Sequence, residues 1–353
     1  MKNLHHFRNY LATFVAGLSI LSAAHATTAV APLPMSNPSM KLKAINLSGA
    51  EYKSSDITAR VNYDYTYPNN AEIDYYQSKG FNAIRLPFSG PRLQPVDNGD
   101  LNADELARIR AVVDYAASKR MYVILDPHDY GEKYDSVSKT MKAIGTKGGV
   151  PTSQLGNFWK RVALAFKSDP NVIFGIMNEP HLQTAAEWKA AADYAIYGIR
   201  KAGAKQLILI PGTNWTAAWA WDKSGNAAQW AGYTGGGAIA YEVHQYLDAD
   251  SSGTHSSCST GKTARALDAI SAWARANHAR LFLGETGWAQ NATCLAEGDA
   301  LTKYLGTNSD VWMGMAYWSG GKWVAQSYMF MLTPANLANP VDKPQMKSIV
   351  NNF

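Results

Sequence analysis

Charge is scarce in this chain. Only 17% of its 353 residues are Asp, Glu, Lys or Arg, and no Lys/Arg run occurs. A nucleic-acid partner is therefore not expected. Beyond the N-terminus no apolar segment is long enough to span a membrane. No low-complexity stretch, no internal linker and no repeat of about 20–50 residues marks a solenoid or propeller. Cysteine is rarer still. Cys258 and Cys294 are the whole complement, so only one pairing exists. With 46% apolar residues, disorder is excluded as well.

What is present begins with an export signal. Lys2 and Arg8 give a basic start, Leu11 to Ala24 is apolar and uncharged, and Ala24-His25-Ala26 fits a small-x-small cleavage site. The apolar run falls short of the roughly 20 residues a spanning helix needs. Residues 1–26 are read as a signal peptide and Thr27 as the mature start. Loss of Lys2 and Arg8 lowers the formal charge from +5 to about +3. Residues 27–40 are rich in Pro and Ser and are expected to be a disordered lead-in. An oxidising destination favours a Cys258–Cys294 bridge, worth about 3.8 kcal/mol by loop-closure entropy.

From residue 41 to 353 short apolar runs alternate with segments of helical period. Eight runs read as strands: Leu42–Leu47, Phe81–Leu86, Tyr122–Asp126, Val172–Met177, Leu207–Ile210, Ile239–His244, Leu281–Glu285 and Trp312–Trp318. They are apolar nearly throughout, as parallel strands covered on both faces must be. Between them, Leu106, Ile109 and Val113 share one helical face behind an Asn102 cap with Glu105 three residues on. Phe158, Val162, Ala165 and Phe166 mark a second helix, and Thr184 with Glu187 forms a capping box for a third. Eight strands alternating with helices predict a single-domain (βα)8 TIM barrel. An open doubly wound sheet would carry a Gly-rich phosphate loop after its first strand. Asn46-Leu47-Ser48-Gly49-Ala50-Glu51 is not one.

Barrels carry their chemistry at the C-terminal strand ends. Those ends hold Arg85, His128, Asn178-Glu179, His244 with Tyr246, Glu285 and Trp318. The 11 Trp and 19 Tyr read either as extra aromatics of a large core or as half-exposed faces on which sugar rings stack. Two carboxylates facing across a cleft supply what acetal hydrolysis needs. One is protonated to help the leaving oxygen depart, and one is ionised to attack or to activate water.

Phe174-Gly175-Ile176-Met177-Asn178-Glu179-Pro180-His181 resembles the acid/base signature of glycoside hydrolase family 5, in its cellulase branch. Gly284-Glu285-Thr286-Gly287 resembles that family's nucleophile signature, and Tyr246 to His255 is similar to a segment of the same branch. The resemblance implies a retaining endo-1,4-β-glucanase that needs neither cofactor nor metal. It implies Glu179 as acid/base and Glu285 as nucleophile. Asn178 would bind the sugar 2-hydroxyl. Tyr246 and Arg85 would hold Glu285 ionised, His128 and His244 would bind hydroxyls or the carboxylates, and Trp318 would floor the cleavage site. It also implies the Cys258–Cys294 bridge.

Some residues depart from that pattern. Trp288 follows the nucleophile motif where small residues are common, so a narrower subsite is expected. Asp129 stands where Asn is common. Trp215, Trp219 and Trp221 crowd one loop and are read as stacking platforms or as loop core. The sequons at Asn46, Asn214 and Asn291 carry little weight. No carbohydrate-binding module follows Phe353, so a soluble or amorphous β-glucan, bound by a secreted monomer, is the expected substrate. The alternatives are the same chemistry on mannan, xyloglucan or mixed-linkage glucan, and a sugar-binding protein without hydrolysis. A metal hydrolase built on Asp126, His128 and His244 would lack a His-x-His pair and a bridging Lys.

Overall fold

The structure, a computed structural model, describes residues 41–352. The expected signal peptide, 1–26, and the expected lead-in, 27–40, lie outside them. Ten strands follow one another: β1 (Leu42–Leu47), β2 (Ala83–Phe88), β3 (Tyr122–Pro127), β4 (Glu132–Asp135), β5 (Thr140–Ala143), β6 (Val172–Gly175), β7 (Ile208–Pro211), β8 (Ile239–His244), β9 (Leu281–Thr286) and β10 (Trp312–Gly320). Eight of them, all but β4 and β5, close into a barrel of parallel neighbours. Among the described residues nine α-helices accompany them: α1 (Asn70–Ser78), α2 (Gly90–Leu93), α3 (Ala103–Ser118), α4 (Thr152–Phe166), α5 (Ala185–Lys201), α6 (Asn226–Trp230), α7 (Lys262–Ala276), α8 (Ala292–Thr307) and α9 (Met346–Asn352). This is the (βα)8 barrel the sequence predicts.

Side-chain alternation along the strands sorts the core into two layers. Leu42, Ala44, Ala83, Tyr122, Ile124, Ala240 and Phe282 belong to a cluster plugging the barrel interior. The intervening Ile45, Ile84, Val123, Leu125, Tyr241 and Val243 face outward to the helices. Continued one step, the same alternation carries Asn46, Arg85, Asp126 and Glu242 inward above the apolar plug. All four are buried, so the barrel's mouth is floored by a polar layer.

Boundaries differ where tertiary contacts override local pattern. β2 begins at Ala83, because the Phe81 amide closes α1 by donating to Tyr76 O and the ring packs on Tyr76. β6 ends at Gly175, although Ile176 N and Asn178 N still bond to Leu209 O and Pro127 O along the barrel wall. The antiparallel hairpin β4–β5 lies in the loop after β3 and was not foreseen. Asn102 caps α3 by accepting from Asp104 N and Glu105 N, but the Glu105 side chain does not return to complete a box. It accepts from Tyr65 and Tyr67 instead. The Thr184–Glu187 box of α5 forms in full. Cys258 and Cys294 are disulfide-bonded with their Cα atoms 5.1 Å apart, joining the loop after β8 to the start of α8. No helix among the described residues is long and apolar enough to cross a membrane.

Candidate active site

Arg85 rises from β2 into the barrel mouth, fully buried, and its guanidinium is shared among the surrounding strands. Nη1 donates to Asn46 Oδ1 at 2.9 Å and Glu285 Oε1 at 3.0 Å, and lies 3.0 Å from Asp126. Nε donates to Glu242 at 2.9 Å and Nη2 to Asn178 Oδ1 at 2.8 Å. Removing that charge from water is costly, but the surrounding carboxylates repay it and hold the guanidinium firmly cationic. Gly284 makes room for this layer, since a Cβ there would collide with the Glu242 carboxylate.

The two glutamates emerge just above. Glu285 is buried at the end of β9; it accepts from Tyr246 Oη at 2.8 Å as well as from Arg85. Burial pushes its carboxyl above the ordinary range and the facing Glu179 adds to this. His244 and Arg85 oppose them. Glu179 sits past the end of β6 at φ 40°. His244 Nδ1 stands 2.7 Å from Glu179 Oε1 and 3.7 Å from Glu285 Oε2. Glu179, His244 and Glu285 each bring one atom within 4.8 Å of the others.

Hydrogen-bond partners fix the histidine protons. Both His244 nitrogens face carboxylates, Glu179 on one side and Glu242 at 3.4 Å on the other, so both carry hydrogen. Burial disfavours that cation, but Glu285, Glu179 and Glu242 prevail and lift its pKa to about 10. His128 Nδ1 is 2.8 Å from Asp126, while Asn178 Nδ2 lies 3.2 Å from Nε2. With Asn178 Oδ1 taken by Arg85, its amide must donate to Nε2, which places the His128 proton on Nδ1. Cation-binding geometry exists in the Glu179–His244–Glu285 group, but a doubly protonated imidazole and Arg85 already occupy the carboxylates. The Asp248, Asp250 and His255 group is a second candidate. There the Asp248 carboxylate accepts from Ser252, Gly253, Thr254 and His255 of its own loop.

Aromatic residues line two hollows flanking the glutamates. One, about 450 Å³, is bordered by Glu51, Tyr52, His128, Trp318 and Tyr328. The Trp318 ring is stacked parallel to His128 at 5.4 Å. The other, about 650 Å³, is bordered by Glu179, His181, Trp215, Trp219, His244 and Tyr246. Tyr130 borders both. Trp215 lies flat on His181, 3.8 Å between centroids. Asn214, Trp215 and Thr216 all have left-handed backbone, at φ 60°, 59° and 54°, which costs about 1–2 kcal/mol per residue. The strap is held by Trp215 N donating to Pro180 O and His244 N donating to Thr216 O, on either side of the glutamate site.

The expected site residues therefore come together at the barrel mouth: His128 and Trp318 border one hollow, Glu179, Trp215, His244 and Tyr246 the other, and Arg85, Asn178 and Glu285 are joined to them by hydrogen bonds. One expectation needs correction. Trp288 does not narrow a subsite. It is fully buried, edge-on to Tyr317 and against Gly298, because its position points outward into the layer under α8. Trp221 is loop core, whereas Trp215 and Trp219 remain about half exposed. Asn46 is fully buried and serves Arg85, so its sequon is inaccessible. The sequence reading overlooked Glu242 as a partner of Arg85 and His244. A lone Glu two residues before His244 in an apolar strand was the available signal.

The comparisons agree with this geometry. Residues 41–321 match the family model described as Cellulase (glycosyl hydrolase family 5). A probable endo-beta-1,4-glucanase B of Neosartorya fischeri is 33% identical, covering 90% of this chain and 94% of its own. Endoglucanase gh5-1 of Neurospora crassa is 33% identical over 82% of this chain and 72% of its own. Among solved structures, the endo-beta-1,4-glucanase Xac0029 of Xanthomonas axonopodis pv. citri superposes with a TM-score of 0.83 at 41% identity, covering 89% of this chain and 98% of its own. XacCel5A in complex with cellopentaose superposes with a TM-score of 0.83 at 39% identity, over 89% and 99% of the two chains. With a parallel eight-stranded barrel, a glutamate pair at its mouth and this family match along most of its length, the chain belongs to glycosyl hydrolase family 5, the cellulases, and is a glycoside hydrolase.

Proposed function

We propose that the protein is a secreted, retaining endo-1,4-β-glucanase with Glu285 as nucleophile and Glu179 as acid/base. The observation that carries this reading is the glutamate pair at no more than 4.8 Å between nearest oxygens. Retaining pairs stand about 5–5.5 Å apart, and inverting pairs about 6.5–9.5 Å. The named activity of the relatives supports the β-1,4-glucan substrate, and the cleft bordered by aromatic rings suits it. The N-terminal signal pattern and the disulfide support export.

In the first step Glu285 attacks the anomeric carbon of a sugar lying over Trp318, held for attack by Tyr246 and Arg85. The proton for the departing oxygen is held in the Glu179–His244 pair, whose atoms are 2.7 Å apart. Once the sugar is esterified to Glu285, that residue's negative charge is gone. Glu179 then takes a proton from water, and the ester is hydrolysed. Asn178, oriented by Arg85 and His128, is placed to meet the sugar 2-hydroxyl. A 2-deoxy-2-fluoro cellobioside with a good leaving group should trap an adduct on Glu285, read by peptide mapping. An adduct elsewhere, or inversion at the anomeric carbon by NMR, overturns the assignment.

A further inference from the structure

We infer that Glu242 is a positioning residue for the cleavage step. Through His244 it keeps the proton that the leaving oxygen needs loaded in the Glu179–His244 pair, and so sets how far into alkaline solution the bond can be cut. This rests on Glu179 as the acid/base. Glu242 stands on β8, buried in the polar layer below the two glutamates. One of its oxygens, Oε1, serves both halves of the site. It accepts from Arg85 Nε at 2.9 Å, and Arg85 in turn donates to Glu285. It also lies 3.4 Å from His244 Nε2, and the opposite nitrogen of that ring donates to Glu179 at 2.7 Å. Among the described residues Glu242 is the one hydrogen-bond acceptor for His244 Nε2. Arg85 keeps Asp126 and Glu285 as further carboxylate partners, so loss of Glu242 would fall chiefly on the imidazole.

The carboxylate is held there against a cost. Its second oxygen, Oε2, has no hydrogen-bond partner, and an unpaired buried acceptor is unfavourable. The barrel nevertheless makes space for it, since a Cβ on Gly284 would stand 1.9 Å from Oε1. A group that only filled this space would need no charge. The imidazole does respond to charge. His244 faces Glu242 on its own strand, Glu179 after β6, and Glu285 on β9 at 3.7 Å together with that residue's Tyr246 phenol; Arg85 on β2 and Asp126 on β3 lie one contact further. Burial disfavours the imidazolium, but Glu285, Glu179 and Glu242 together favour it. Of these three only Glu242 keeps its charge throughout the cycle. Glu285 becomes an ester, and Glu179 exchanges its proton with the leaving oxygen.

The test compares Glu242→Gln, which keeps an oxygen for Arg85 and fills the same volume, with Glu242→Asp, which keeps the charge. In kcat/KM for cellotetraose against pH, the alkaline limb of the Gln variant should move about one unit towards acid, a roughly tenfold loss at a fixed pH on that limb. The Asp variant should stay closer to the parent. The burst of dinitrophenolate from 2,4-dinitrophenyl β-cellobioside, whose departure needs little protonation, should keep the parent's alkaline range in both. NMR of ¹⁵N-histidine-labelled parent enzyme gives a readout that needs no variant: both His244 nitrogens should carry hydrogen at neutral pH. A bare ring nitrogen there overturns the inference. So does an alkaline limb that stays put in the Gln variant, moves equally in the Asp variant, or moves equally for the dinitrophenyl substrate. A fluorosugar adduct away from Glu285 would instead overturn the catalytic assignment beneath it.

Discussion

Glu179 and Glu285 are the same side chain given different work by their donors. Glu285 accepts from a guanidinium and a phenol that hold it in place. Glu179 has one strong partner, His244, whose Nδ1 donates to it. Glu179→Ala should therefore lower cellulose cleavage by roughly 10²–10⁴-fold. It should spare glycosyl-enzyme formation from aryl cellobiosides with very good leaving groups, measured as the burst of phenolate. An equal loss of that step on both substrate types would remove Glu179 from the acid role. Both glutamates were legible because each comes at the end of a continuous apolar run, Val172–Met177 or Leu281–Leu283. Glu242 and Asn46 were harder to see. Each makes sense only as a partner of Arg85, a relation that exists after the barrel has closed.

Among the elements, the strands were the most readable, since continuous apolar runs of this length suit little else once a helix follows each. Hairpin β4–β5 was not readable. Glu132-Lys133-Tyr134-Asp135 has no apolar run, and its pairing with Thr140–Ala143 depends on the Lys139 turn. Trp288 misled for a related reason: its neighbours in sequence are catalytic, but its direction is set by the pleat. The Cys258–Cys294 link connects two elements beside the nucleophile strand. Replacing both cysteines by serine should cost about 3–4 kcal/mol by loop entropy, seen as a lower midpoint in denaturant with a steeper slope, because the unlinked unfolded chain exposes more surface. The variant should remain a hydrolase, because no atom of the bridge contacts Glu285's donors. A midpoint equal to that of the parent would show that the link does not constrain the unfolded chain.

The whole molecule's pH response follows from groups held away from their ordinary pKa values. His244 is raised to about 10 by Glu285, Glu179 and Glu242 against burial. Its contribution is complete below the unfolded value near 6.5 and is lost as pH climbs towards 10. Asp129 is also raised, to about 7, because burial outweighs its bonds from Ser54 and Gly90 N. Its contribution is complete below the unfolded value near 3.9 and declines between about pH 4 and 7. Above about pH 4 both groups therefore make stability fall as pH rises, Asp129 up to about pH 7 and His244 on towards 10. Asp129→Asn, whose amide can satisfy the same two neighbours, should flatten the slope between pH 4 and 7 and leave the alkaline decline. Denaturant midpoints across that range provide the measurement. An unchanged slope would mean that Asp129 is not titrating in the folded state.

Arg85 touches side chains carried by β1, β3, β8 and β9, and by the segment after β6, while standing on β2 itself. Those side chains surround one guanidinium only when the ring is shut, and the last of them in sequence, Glu285, stands on the ninth of the ten strands. A chain growing from its N-terminus therefore stays inert until most of it exists. An unzipped seam anywhere in the wall would scatter the carboxylates as surely as deleting one. The guanidinium makes catalytic competence a report on ring closure: a chain re-opened at a surface loop, with its old ends joined, should work if it closes, and two halves should be silent until they meet.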